Sequence, residues 1–197
     1  MKTKKDFFNN LADNWDNEDS VIPEKYRKII LEANIKKGQN ILDVGTGTGI
    51  LIPYILEKER EIDIFAIDCA EQMIEKLKEK QFPLNVMPFV MDIKDTSFED
   101  NFFDRVLVNS CYPHFDDKPS ILKEIHRLLK KDGLLIISHP TGRDAVNELH
   151  KTRHPLIQKD IIQDILCIKD FIEPLGFNLI KGIDEDDFFL AVFVKKP

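Results

Sequence analysis

Ile41-Leu-Asp-Val-Gly-Thr-Gly-Thr-Gly-Ile50 decides the fold of this 197-residue chain. A short apolar run, Asn40 to Val44, enters a turn with glycines at 45, 47 and 49, and a helical pattern follows from Ile50 to Arg60. Pro53 is tolerated there because it falls in the first helical turn. A strand that ends in a glycine turn and passes directly into a helix is the opening unit of an open α/β sheet, where ligands bind at the carboxyl ends of the strands. The glycines let the backbone turn tightly and approach a ligand. The dinucleotide fingerprint G-x-G-x-x-G would need its third glycine at Ile50, so a nicotinamide dinucleotide is disfavoured. Asp43, two positions before the first glycine, is poorly placed against a pyrophosphate and well placed near an ammonium group.

Outward from this turn, strands and helices alternate. Ile62 to Ile67 reads as a strand and Ala70 to Lys80 as a helix. Leu84 to Met91 reads as a strand in which Pro88 marks a break or a sheet edge. Arg105 to Asn109 and Leu134 to Ser138 read as buried strands. Between them, Pro119 to Lys131 carries an apolar stripe, with Lys130 and Lys131 suited to its last turn and Gly133 to its stop. A helix is expected from about Asp160 to Leu175. Two strands, Phe177 to Ile183 and Phe188 to Val194, close the chain, separated only by Asp184 to Asp187. So short a link permits a hairpin and forbids a parallel crossover. The fold class is therefore α/β, a doubly wound Rossmann-like parallel sheet with helices on both faces and an antiparallel finish.

Upstream, Phe7, Phe8, Leu11 and Trp15, then Tyr26, Ile29, Ile30 and Ala33, recur at helical spacing. One domain is expected, with residues 1–38 as a helical cap over the site and 39–197 as the Rossmann-like core. The net charge of −7 argues against nucleic acid as partner. No apolar run approaches a membrane span. Met1-Lys-Thr-Lys-Lys-Asp6 has no apolar core behind it and is no signal peptide. Cys69, Cys111 and Cys167 are far apart and odd in number, which fits reduced cytoplasmic thiols rather than a disulfide or zinc framework.

Two further acidic residues end strands behind the glycine turn. Asp68 closes Phe65-Ala-Ile-Asp68, 19 residues after Gly49, where a carboxylate can accept both hydroxyls of a ribose. Asp92 closes Val90-Met-Asp92, where it can accept from an adenine amino group. The glycine turn, Asp68, Asp92, Phe103-Asp-Arg-Val-Leu-Val-Asn109 and Leu122-Lys-Glu-Ile-His-Arg-Leu-Leu-Lys-Lys-Asp-Gly-Leu-Leu-Ile-Ile-Ser138 together resemble the class I S-adenosylmethionine-dependent methyltransferases, over roughly Phe7 to Gly176. Phe8-x-x-Leu-x-x-x-Trp-Asp16 resembles the opening of the small-molecule branch that includes quinone-biosynthesis methyltransferases.

The resemblance implies seven strands in the order 3-2-1-4-5-7-6 with the last strand antiparallel, and S-adenosylmethionine as cofactor. It implies that Asp43, Gly45 and Gly47, with Thr46 between the glycines, line the methionine half. Asp68 would hold the ribose, and Cys69 and Ile93 would flank the adenine beside Asp92. Asn109 would face the amino-acid portion and the substrate. Asn109-Ser-Cys-Tyr-Pro113 lacks the adjacent prolines of base and amide methyltransferases, which argues against those acceptors.

His114 follows the fourth strand and His139 ends the fifth, so both could border the transferred methyl. Methyl transfer is an in-line displacement that depends chiefly on alignment. A neutral hydroxyl or amine also needs a base, and histidine titrates in the right range. His114 and His139 are therefore the catalytic candidates, one of them a base. No metal is expected: His114, His139 and His150 could converge, yet no local ligand spacing supports a site. The acceptor is a small molecule methylated on O, S, N or activated carbon. Phe7, Phe8, Trp15, Tyr112 and Phe115 suggest that it is partly apolar or aromatic. The alternative is a non-catalytic S-adenosylmethionine-binding regulatory or assembly protein. A monomer or homodimer is expected.

Overall fold

The computed structural model of the chain describes residues 2–18 and 22–196. A seven-stranded sheet runs β3-β2-β1-β4-β5-β7-β6, built from β1 (Asn40–Val44), β2 (Asp63–Asp68), β3 (Val86–Val90), β4 (Phe103–Asn109), β5 (Leu129–His139), β6 (Phe177–Glu185) and β7 (Phe188–Lys195). β7 pairs antiparallel with both β5 and β6, and β1 to β5 pair in parallel. The two-residue link between β6 and β7 leaves no room for a crossover. The fold expected from the sequence is the fold observed.

Both faces of the sheet are covered, which is why its central strands are mostly apolar. Leu42, Val106, Val108, Leu135 and Ile137 point to one core, under α6 (Lys118–Leu128) and α8 (Ile165–Ile172). Ile41, Leu107 and Ile136 point to the other, under α3 (Pro23–Ala33), α4 (Ile52–Lys58) and α5 (Glu71–Glu79). The alternation is the period-two pattern of a strand buried on both sides. Arg105 and Asn109 are the buried polar residues of β4, and Arg105 has a structural role. Its guanidinium donates to the carbonyls of Ala33 and Asn34, at 2.6 and 3.0 Å, and so caps the end of α3.

The N-terminal region divides. α1 (Lys4–Leu11), capped by Thr3, leads through a 3-10 turn into α2 (Trp15–Glu18) on the carboxyl side of the sheet. There Asn9 bonds Glu71 and the backbone of Gln72 at the start of α5. α3 instead packs Tyr26, Ile29, Ile30 and Ala33 into the second core. Among the described residues, no helix is long and apolar enough to cross a membrane.

Several element boundaries differ from expectation, with the largest differences at α6, β5 and α8. The helix expected over Pro119 to Lys131 starts at Lys118, capped by the Asp117 side chain, and stops at Leu128. Leu129 is already extended and paired with Phe103, so Lys130 and Lys131 lie beyond the helix. Asp132, not Gly133, takes the left-handed turn conformation, with φ of 60°. Gly133 is required for space, since a Cβ there would fall 2.8 Å from the Lys130 carbonyl oxygen. The helix expected from Asp160 begins at Ile165 because Asp164 caps it, accepting from the Cys167 N–H at 2.9 Å. Between His139 and Asp160 the chain forms α7 (Arg143–Arg153), a helix not expected from the sequence. Only Val146 and His150 are buried on it, too few to show a helical stripe. Pro88, as expected, lies on an edge strand, β3.

Candidate functional site

A cavity of about 350 Å³ opens at the carboxyl ends of β1, β2, β3 and β4, within the size range of small-molecule sites. Its floor is the glycine turn. Gly45, Gly47 and Gly49 have φ of 65°, 56° and 87°, a left-handed region open to glycine at little cost. The three glycines serve different ends. A Cβ on Gly45 would lie 2.2 Å from Cys111 Sγ, and one on Gly49 would press on Ile52 and Leu77. A Cβ on Gly47 would meet nothing nearer than Trp15 Nε1 at 3.5 Å. Gly47 thus leaves open a space that the protein itself does not fill.

Asp43 lies beneath the turn, 2 % exposed, and accepts from Thr46 Oγ1 at 2.7 Å. Burial, with Asp68 nearby, pushes its pKa up to about 7 despite the Thr46 bond. Asp68 accepts the Gly47 and Ala70 N–H groups at 3.0 and 2.8 Å, and burial raises its pKa as well. Each carboxylate oxygen of Asp68 keeps a lone pair for a hydroxyl donor. A buried carboxylate beside a half-buried one, both with neutral bonding partners, suits a ligand that brings positive charge and hydroxyl groups.

The Asp43 shift has a consequence for stability. Between pH 4 and 7 the folded chain holds a proton on Asp43 that the unfolded chain releases. This contribution to stability is fully present below pH 4 and is lost as the pH rises through about 7. Asp43→Asn is therefore expected to raise the melting temperature at pH 8 by roughly 3–10 °C, at about 2–4 °C per kcal/mol for a chain of this size. The gain should shrink towards pH 4. Equal melting curves at both pH values would contradict a buried, poorly compensated carboxylate.

The structure brings most of the sequence candidates to this one cavity. Gly45, Thr46 and Gly47 line its floor, and Asp68, Cys69, Asp92 and Ile93 line the wall under β2 and β3. Asn109 borders it from β4, with Ser138 Oγ donating to its Oδ1 at 3.0 Å. Asp43 does not line the cavity, because Thr46 lies over it. Of the aromatic candidates, Phe8, Trp15 and Phe115 line the cavity, while Phe7 and Tyr112 are buried and do not.

The histidines separate. His114 lines the cavity, and its Nδ1 lies 2.8 Å from Asp160 Oδ2. Burial holds its pKa below the ordinary value against the Asp160 bond. His139 does not line the cavity. Its Nδ1 accepts the Thr141 N–H at 3.2 Å, and burial, with His150 and His114 nearby, pushes its pKa down to about 3. His150 Nδ1–H donates to the Asp160 carbonyl, and its ring centroid lies 4.9 Å from that of His114. Among the described residues, no three His, Cys, Asp or Glu side chains are placed to hold a metal ion.

Sequence reasoning missed several residues here, three of which bear on the chemistry of the site. Lys4 lines the cavity and bonds Asp116 and Asp160 at 2.7 and 2.8 Å. Cys111 packs against Gly45. Asp160, 46 positions from His114, has no spacing signal that could have found it.

The fold and this site define a class: a doubly wound α/β protein with a ligand cavity at the strand ends, over a glycine turn and a row of acidic strand ends. Residues 42–137 match the family described as "Methyltransferase domain". The chain is 30 % identical over 151 residues to demethylmenaquinone methyltransferase of Thermotoga maritima, covering 69 % of this chain and 62 % of that protein. In structure it is similar to an S-adenosylmethionine-dependent methyltransferase from Aquifex aeolicus, with a TM-score of 0.72, 19 % identity and 98 % of both chains covered. It is also similar to Haemonchus contortus phosphoethanolamine N-methyltransferase 2 in complex with S-adenosyl-L-methionine. There the TM-score is 0.77 and the identity 17 %, over 100 % of this chain and 60 % of that one. Residues 42–137 thus carry a methyltransferase domain, set in a fold shared with solved S-adenosylmethionine-dependent methyltransferases. The chain spans between about one third and 62 % of the length of the first four curated relatives it matches.

Proposed function

We propose that this protein transfers a methyl group from S-adenosylmethionine to a small-molecule acceptor. The observation that carries this reading is the one cavity lined together by Gly47, Asp68, Asp92 and His114. S-adenosylmethionine supplies a sulfonium methyl and brings a positive charge, an ammonium group, a ribose diol and an adenine.

Asp68 accepts the diol through the lone pairs that Gly47 and Ala70 leave free, and Asp92 accepts the adenine amino group between Cys69 and Ile93. The backbone of Gly45, Thr46 and Gly47 faces the methionine half, and Asp43 answers its ammonium group through the charge beneath Thr46. Asn109 borders the amino-acid portion. Of the 1–38 segment, α1 and α2 contribute the cap, with Lys4, Phe8 and Trp15 lining the cavity, while α3 belongs to the second core. Of the two histidine candidates, the geometry favours His114 as the base, because it lines the cavity and His139 does not. The three cysteines are free, which supports a reducing, cytoplasmic setting. A monomer or homodimer acting on a small acceptor, with no nucleic-acid partner, completes the reading.

Calorimetry with S-adenosylhomocysteine and with nicotinamide dinucleotides tests the cofactor: the first should bind and the second should not. Asp68→Ala should weaken S-adenosylhomocysteine at least about tenfold, since hydrogen bonds to a charged group contribute roughly 1.5–3 kcal/mol each. Unchanged affinity would remove Asp68 from the ribose. Turnover on a panel of thiols, phenols and amines then separates an enzyme from a binding protein. Binding without turnover on any acceptor would favour the regulatory or assembly reading.

A further inference from the structure

The His114 ring is held at its Nδ1 by a carboxylate from a distant part of the chain. Asp160 lies in the segment between α7 and α8 and places Oδ2 2.8 Å from that nitrogen. It is not a free surface carboxylate, being 7 % exposed. Its N–H donates to the Ile157 carbonyl at 2.9 Å, and His150 on α7 donates to its carbonyl. Two residues on, Ile162 is clamped by Asn147 of α7, through N–H to Oδ1 at 2.8 Å and Nδ2 to the carbonyl at 2.9 Å. The other carboxylate oxygen, Oδ1, accepts from Lys4 Nζ at 2.8 Å, and the same ammonium reaches the His114 carbonyl at 3.1 Å.

We propose that Asp160 is the positioning residue of the acceptor base: it accepts the Nδ1–H of His114, fixes that tautomer, and leaves Nε2 bare towards the cavity. This rests on the reading of His114 as base. An ionised carboxylate only accepts, so the proton of a neutral His114 belongs on Nδ1. Nε2 is then the one nitrogen that can take a proton. As the acceptor's electron pair forms the new bond to the methyl carbon, the sulfur–methyl pair stays on sulfur and the acceptor's proton passes to Nε2. The resulting imidazolium faces the Asp160 carboxylate, which stabilises it, and later releases its proton to solvent. Burial is the main reason the resting imidazole stays neutral, and Lys4, which offsets part of the Asp160 charge, acts in the same direction.

The charged and titratable groups facing His114 are Asp160 from the α7–α8 segment, Lys4 from α1, His150 from α7 and His139 at the end of β5. Asp160 favours the protonated ring, while Lys4 and His150 oppose it. Removal of Asp160 and removal of Lys4 should therefore move His114 in opposite directions. A carboxylate that merely ties down the N-terminal helix would not produce that pair of signs, since both variants break the same tether.

The experiment is nitrogen-15 NMR of the histidine rings in the S-adenosylhomocysteine complex of the full chain, with His114 assigned through His114→Gln. In the wild type at pH 7.5, His114 should carry its proton on Nδ1. Asp160→Asn, whose amide can donate to Nδ1, should move the proton to Nε2 and lower the His114 titration midpoint, and Lys4→Gln should raise it. With any acceptor that turns over, Asp160→Asn should lower kcat by about 10²–10⁴-fold, the range of a lost base. KM should change little, and Asp160→Glu should restore part of the rate. A wild-type proton on Nε2, or midpoints shifted the same way in both variants, would overturn the proposal. These ring measurements need no turnover, so they judge Asp160 separately from the base reading, which full activity of His114→Gln would remove.

Discussion

Gly47→Val is expected to weaken S-adenosylhomocysteine on the order of 10²-fold or more, about 2.7 kcal/mol of binding free energy, while the chain still folds. The space over Gly47 is open, with Trp15 Nε1 at 3.5 Å as the nearest neighbour of an added Cβ. A larger side chain would occupy the room through which the cofactor approaches the backbone. The remaining cost is conformational, because φ there is 56°, and a left-handed residue bearing a Cβ costs roughly 1–2 kcal/mol. Gly45→Ala supplies the contrast. Its Cβ would run into Cys111 Sγ, so that variant should lose thermal stability before binding is considered. Circular dichroism melts and calorimetry on both variants separate the two outcomes. A Gly47→Val protein that binds normally would move the cofactor away from this turn.

His114→Gln is expected to lower kcat by about 10²–10⁴-fold and to leave S-adenosylhomocysteine affinity nearly unchanged. Only the neutral imidazole can accept a proton, so the wild-type rate should be full above the His114 pKa and fall as the pH drops through it. Burial holds that pKa below 6.5, which puts the inflection on the acid side of the ordinary histidine range. His139→Gln should keep most of the rate, since its ring does not line the cavity and burial pushes its pKa down to about 3. A thiol acceptor would give a different profile, following its own ionisation, with much activity retained in both variants. A rate profile for the three proteins decides it; an unimpaired His114→Gln with no inflection below pH 7 would return the chemistry to alignment alone.

The architecture was legible because its determinants are local. β1, its glycine turn and α4 are continuous in sequence, and the short β6–β7 link dictates an antiparallel pair whatever the rest of the chain does. The cofactor candidates were legible for the same reason: in a parallel sheet the ends of successive strands fall on one edge, so Gly45, Asp68, Asp92 and Asn109 had to converge. Element ends were less legible where two signals competed. Lys130, Lys131 and Gly133 look like a helix finish, but pairing of Leu129 with Phe103 draws the chain out of the helix first. α7 was missed because its face towards the protein is narrow, and a helix with two buried residues is set by its surroundings rather than by its own periodicity.

The sequence by itself determined the alternation of strands and helices, the antiparallel last pair, the glycine turn and the row of carboxylates at the strand ends, while the strand order was implied by the family resemblance. Tertiary structure alone decided how two histidines that look alike in sequence differ. His114 reaches the cavity and meets Asp160, while His139 turns its Nδ1 to its own loop at Thr141. It also decided that Lys4 and Asp160, 156 positions apart, form one ion pair beside that ring. The physical reason is the range of the constraints. Strand identity and turn geometry follow from patterns a few residues long, whereas the partner of a buried side chain is set by which segments pack over it. That packing joins α1, α7 and the segment after it through contacts that carry no periodicity.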